Sequence, residues 1–143
     1  MSQNVLTLDR IKIQPGGITR EQAIDEAAQL LIDAGAVTEA YGQAMRAREE
    51  SVSTFMGNGL AIPHGTNDAK DEIRESAMSF TRYEQPVSWG GEDVNFVVGI
   101  AGKGDEHLEI LQKIAILFSD DDAVAQLRDA ATVEDLNALL SAV

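Results

Sequence analysis

The chain has 143 residues, 24 acidic against 11 basic side chains for a net charge of −13, and no cysteine. Such a charge repels a nucleic-acid backbone or an anionic membrane surface, and the lack of thiols excludes disulfides, thiolate metal sites and a cysteine nucleophile within the chain. A hydrophobic content of 44% with three prolines fits one globular domain over 1–143, and the short apolar runs and the start "MSQNVLTLDR" predict neither a spanning helix nor a signal peptide, hence a cytoplasmic location.

In chain order, residues 5–13, "VLTLDRIKI", alternate as a first strand, and "QPGG" at 14–17 is a turn. Thr19 and Gln22 have capping-box spacing for a helix with Ala23, Ile24, Ala27, Ala28, Leu30 and Leu31 inward, ending at Gly35. A second helix follows Thr38 and runs to about Glu50; Tyr41, Met45 and Arg48 are spaced i, i+4, i+7 and share a face. "GNGLAIP" reads as a short buried strand, "SAMSFTRY" at 76–83 as a half-buried one, "PVSW" at 86–89 as a short edge strand and "VNFVVGIA" at 94–101 as an almost continuous apolar strand. From Asp105 the period turns helical, with His107, Leu111, Ile114 and Phe118 on one face and Leu108 and Ala115 beside it. Two shorter helices close the chain. One is capped near Asp120 with Val124 and Leu127 inward; the other starts at Thr132, with Asp135 at capping-box spacing and Leu136, Leu139 and Leu140 inward. Strands and helices in this order predict an α/β domain, a mixed β-sheet flanked by α-helices.

The two histidines each follow a different strand. Ligand sites in open α/β sheets form outside the carboxyl ends of the strands, so His64 and His107 are expected to meet there. Pro63 fixes its own φ and biases Ile62 toward extended geometry, and Gly65 permits a tight turn and close approach of a ligand, a frame that orients the imidazole between them. A neutral imidazole has one lone pair and suits nucleophilic attack, proton transfer or metal binding. Blander readings stand beside this one. His107 in a first helical turn can be simply solvated, and Arg48 can snorkel from an apolar face with its head in water. The glycines at 57, 59 and 65 lack the lysine and following helix of a nucleotide loop, and Asp120, Asp121 and Asp122 fit a solvated helix start. A zinc site from His64, His107 and Asp105 matches no short metal motif.

Together these residues resemble the mannitol/fructose-type enzyme IIA of the bacterial phosphoenolpyruvate-dependent sugar phosphotransferase system. Glu49, six residues, then "MGNGLAIPHG" matches the family signature around its phosphorylated histidine, and "YGQAMRARE", "GTNDAKDEI" and "IAGKGDEHLEIL" extend the similarity along nearly the whole chain. The resemblance implies His64 as phosphorylated nucleophile, His107 as second active-site histidine and Arg48 as the cation near the phosphoryl group. It also implies phospho-HPr as donor, a cysteine of enzyme IIB as acceptor, and contact with the membrane only through the permease. Without a IIB cysteine or membrane segment, the chain is expected to be the free-standing IIA component. Phosphoryl relay through an imidazole requires neither metal nor other cofactor. Asp105 and Glu106, beside His107, are expected to steer a basic donor. The alternatives are a regulatory module resembling the nitrogen-related enzyme IIA and, from another class, a metal-dependent hydrolase using both histidines; "PHGT…EHLEIL" favours the sugar branch.

Overall fold

Residues 6–51 and 53–140 are described by a computed structural model. Strand β1 (Ile11–Gln14) leads through the glycine turn to helix α1 (Arg20–Asp33). The predicted cap is present: Thr19 Oγ1 accepts from Gln22 N–H, and the Gln22 side chain accepts from Thr19 N–H. At the other end Gly35 takes φ +76°, its N–H donating to Ile32 O and that of Ala36 to Leu31 O. That pattern satisfies the last carbonyls of the helix and turns the chain back. Helix α2 (Glu39–Ser51) follows, then strands β2 (Phe55–Gly57) and β3 (Leu60–Ala61), a six-residue 3-10 helix (Asn67–Glu72), and the long strands β4 (Ala77–Trp89) and β5 (Glu92–Ala101). Helices α3 (Glu106–Phe118), α4 (Asp121–Asp129) and α5 (Val133–Leu140) complete the described chain.

The sheet runs β1-β4-β5-β3-β2. Strands β1 and β4 are parallel, as are β3 and β5, while β4–β5 and β2–β3 are antiparallel. This is the expected mixed sheet with helices on both faces. Along β5 the pleat alternates: Val97 and Ala101 pack with α1 and α2, whereas Phe96, Val98 and Ile100 pack with α3, α4 and α5. Fully burying one such side chain stabilises by roughly 1.5–3 kcal/mol, so the two cores carry most of the driving force for folding. Arg82, on β4, is tied to the second core by donating to the carbonyls of Leu127, Arg128 and Ala130 at the end of α4.

Five expectations need correction. "SAMSFTRY" at 76–83 is buried throughout rather than half-buried, because β4 is an inner strand with Ala77 and Tyr83 in one core and Met78 and Phe80 in the other. The first strand does not span 5–13. Val5 lies outside the described residues, and Leu8–Arg10 form a 3-10 turn closed by Arg10 N–H to Thr7 O at 2.9 Å, so pairing with β4 begins at Ile11. "GNGLAIP" is not one strand but the turn and second arm of a hairpin. Asn58 (φ +53°) and Gly59 (φ +75°) make the two-residue loop between β2 and β3, which Asn-Gly favours because both positions need positive φ. "PVSW" is no separate edge strand: it continues β4 beyond a register shift and pairs with β5 through Val87 and Val94. On α3 the buried stripe is Ile110, Ile114 and Phe118, while Leu108 and Ala115 face solvent.

Candidate active site

His64 stands at the carboxyl end of β3, where the chain still bridges Ile100 of β5 and the Ile100 N–H donates to Pro63 O at 3.0 Å. The neighbouring strand β5 ends at Ala101, and the loop 102–105 delivers His107 into the first turn of α3. The two imidazole centroids are 5.2 Å apart, with planes tilted by 58°. Thus the two histidines do converge outside the carboxyl ends of parallel neighbours. Arg48, from α2, lines the same cavity of about 660 Å³, as do Lys70 and Thr66.

Two close approaches set this geometry. A Cβ on Gly65 would lie 2.5 Å from the Tyr41 ring, and one on Gly102 would lie 2.4 Å from the His107 Cα. Only glycine lets α2 approach the His64 turn and α3 start so near the end of β5. The Tyr41 hydroxyl then joins both strand ends, donating to Ile100 O at 2.8 Å and accepting from Gly65 N–H at 2.9 Å. Tyr41→Phe should lower stability by about 1–3 kcal/mol, because it removes the hydroxyl from a buried carbonyl at Ile100 and a half-buried N–H at Gly65. Chemical denaturation measures this, and a change within experimental scatter would mean that water replaces the hydroxyl.

The His64 ring is fixed at Nδ1, which lies 2.8 Å from Ile62 O. A carbonyl oxygen only accepts, so Nδ1 carries the proton and Nε2 keeps the lone pair. Burial pushes the His64 pKa down and the nearby Arg48 adds to that, against the opposing pull of the Ile62 carbonyl and Glu49. His107 is also pushed down, by burial first and then by His64 and Lys70. Both rings are therefore neutral at pH 7.

These depressions have a stability consequence whose sign follows from proton counting. Below about pH 6.5 the unfolded chain protonates its histidines before the folded chain does, so the unfolded state binds more protons and stability falls as pH drops. It is fully present above that value. Denaturation at about pH 7.5 and about pH 5.5 should show a loss that shrinks in a His64→Gln, His107→Gln double variant. Equal pH dependence in parent and variant would assign the loss to carboxylates.

Three side chains near this cavity drew no role from sequence reading. Lys70 sits on the unpredicted 3-10 helix, and Tyr41 was read only as an apolar contact. Glu49, the signature's first residue, is buried in α2 at i+4 from Met45, a spacing that itself pointed inward. Of the two residues expected to steer a basic donor, Glu106 accepts from Ser76 Oγ at 2.6 Å and Asp105 lines the cavity. Among the described residues no group of three or more histidine, aspartate or glutamate side chains is placed to hold a metal ion.

Residues 4–143 match the family described as phosphoenolpyruvate-dependent sugar phosphotransferase system, EIIA 2. The chain is 48% identical over 128 residues to a mannitol-specific phosphotransferase enzyme IIA component of Staphylococcus aureus, covering 90% of this chain and 89% of that protein. It is 43% identical over 143 residues to the component of the same description from Halalkalibacterium halodurans, covering 100% and 99%. Its fold superposes with a TM-score of 0.89 on a chain of the Escherichia coli complex of enzyme IIAMTL and phosphorylated enzyme IIBMTL, at 29% identity and covering 96% of this chain and 99% of that one.

Proposed function

The chain belongs to the EIIA 2 family of the phosphoenolpyruvate-dependent sugar phosphotransferase system, and from that premise we propose that it is a mannitol-type phosphoryl carrier that is charged on His64 Nε2. The observation that supports this reading most directly is the Nδ1–H bond to the Ile62 carbonyl, which leaves Nε2 as the ring's one nucleophilic lone pair. That lone pair attacks the phosphorus of phospho-HPr. The donor's N–P bond breaks and its electron pair returns to the donor imidazole. As the new N–P bond forms, the His64 ring gains positive charge, which the Ile62 carbonyl opposite stabilises. In the second step a cysteine thiolate of an enzyme IIB attacks the same phosphorus, and the electron pair of the His64 N–P bond returns to Nε2.

Phosphoryl transfer asks the protein for position and for charge stabilisation on the equatorial oxygens. Arg48 offers planar donors, and neutral His107 an N–H; neither role needs a metal or other cofactor. The solved complex of a structural relative with phosphorylated enzyme IIB supports the acceptor. The mannitol-specific relatives favour sugar transport over the nitrogen-related regulatory role. Among the described residues no helix is long and apolar enough to cross a membrane, in keeping with a cytoplasmic component that meets the membrane through its permease.

The test is incubation with phosphoenolpyruvate, enzyme I and HPr, followed by intact mass. One acid-labile, alkali-resistant phosphoryl group is expected, and its removal on adding enzyme IIB. No gain of mass with donors that charge a known enzyme IIA would overturn the reading.

A further inference from the structure

We propose that Glu49 is a positioning residue for phosphoryl acceptance, its buried carboxylate anchoring Thr54, which holds Ile62, whose carbonyl holds the Nδ1–H of His64. The inference rests on His64 as the acceptor. Each link is a hydrogen bond. Glu49, 5% exposed, accepts from Thr54 N–H through both oxygens, at 3.0 and 3.2 Å, from Thr54 Oγ1, and from Trp89 Nε1 at 2.9 Å. Thr54 O accepts from Ile62 N–H at 3.1 Å, and Ile62 O from His64 Nδ1 at 2.8 Å.

Three donors converge on this one side chain, two of them from Thr54 and the third from Trp89. An ionised carboxylate is acceptor-only and can satisfy all three, whereas a carboxamide has one oxygen and turns an NH₂ toward a donor. Burying such a charge merely to pack a helix is a poor source of stability, since apolar residues of similar volume often serve as well. The negative charge also lies close enough to the His64 ring to oppose the effect of Arg48. The other charged or titratable groups on this cavity are His107 from α3, Lys70 from the 3-10 helix, Asp105 and Tyr41.

The test uses the full chain, Glu49→Gln and the double variant Glu49→Gln, Trp89→Phe. Imidazole nitrogen resonances followed against pH on unphosphorylated protein give the His64 tautomer and titration midpoint, and the rate of transfer from phospho-HPr is taken per folded molecule. For Glu49→Gln we expect a mixed tautomer, a lower His64 midpoint with His107 little moved, and a rate down about tenfold. Removing the Trp89 donor lets the Gln oxygen serve Thr54, so the double variant should recover the tautomer and part of the rate but not the midpoint. A Glu49→Gln protein, or the double variant should only that one fold, whose His64 tautomer, midpoint and rate equal the parent's would overturn the proposal and leave Glu49 a packing residue. Because the resonances need no phosphoryl donor, they judge Glu49 even where a parent that accepts nothing has already refuted the function.

Discussion

His64→Ala should accept no phosphoryl group from phospho-HPr under conditions that charge the parent fully. The loss should be complete rather than partial, because the phosphorus must bond to a lone pair at this position and none replaces it. The neighbouring His107 ring lies 5.2 Å away and is tilted by 58°, so a phosphorus in line with Nε2 of His64 can have its oxygens beside His107 without being in line with a His107 nitrogen. His107→Ala gives the contrasting result: it keeps the nucleophile and loses a donor to the phosphoryl oxygens, a deletion typically worth about a hundredfold in rate. Folding is the control. His64 is half-buried and is hydrogen-bonded to Ile62 O, so alanine there costs about 1 kcal/mol. Intact mass and a melt read both properties. Parent-level charging of His64→Ala would move the acceptor role elsewhere in the chain.

Gly102→Ala should be nearly as damaging without touching a reacting atom. Its Cβ would sit 2.4 Å from the His107 Cα and 2.6 Å from the His107 nitrogen, a collision with backbone that no rotamer relieves. Either the end of β5 or the first turn of α3 must move. Overpacking of this kind costs ~1–3 kcal/mol, and a shift of about 1 Å at a reacting centre can lower the rate about a hundredfold. Gly104 is the comparison within the same loop. It has φ +57° with open space around a would-be Cβ, so Gly104→Ala carries backbone strain of about 1 kcal/mol but no collision. The rate of transfer should fall steeply for residue 102 and little for residue 104. Similar rates for both would show that the loop absorbs the added methyl group.

What could be read from the sequence was whatever depends on local spacing. The cap from Thr19 to Gln22, the stop at Gly35 and the cap at Asp120 are contacts between near neighbours, so residue type and interval determine them. The convergence of the two histidines was also legible, since it follows from strand ends rather than from any single contact. The errors came where two local signals compete. Alternation in "VLTLDRIKI" suggested a longer strand than Thr7 and Arg10 allow once they close a turn, and the apolar character of "GLAI" masked the Asn-Gly hairpin signal before it. Glu49 was hidden for another reason. Its partners are five and forty positions away, and a glutamate near a helix end ordinarily reads as solvated. Nothing in one sequence says that a tryptophan from β4 will arrive to donate its indole N–H to this carboxylate.

The sheet divides the molecule into two separately packed layers, and the cavity is assembled from both. Arg48 comes with α2 from the layer that includes α1, His107 comes with α3 from the opposite one, and His64 lies at the seam. The complete constellation exists only in molecules where both layers are docked at once, so the competent fraction is bounded by the product of two local closing equilibria. A core substitution in α1, such as at Leu31, can therefore subtract acceptor from the pool by letting one half of the site drift open, with every residue of the cavity unchanged.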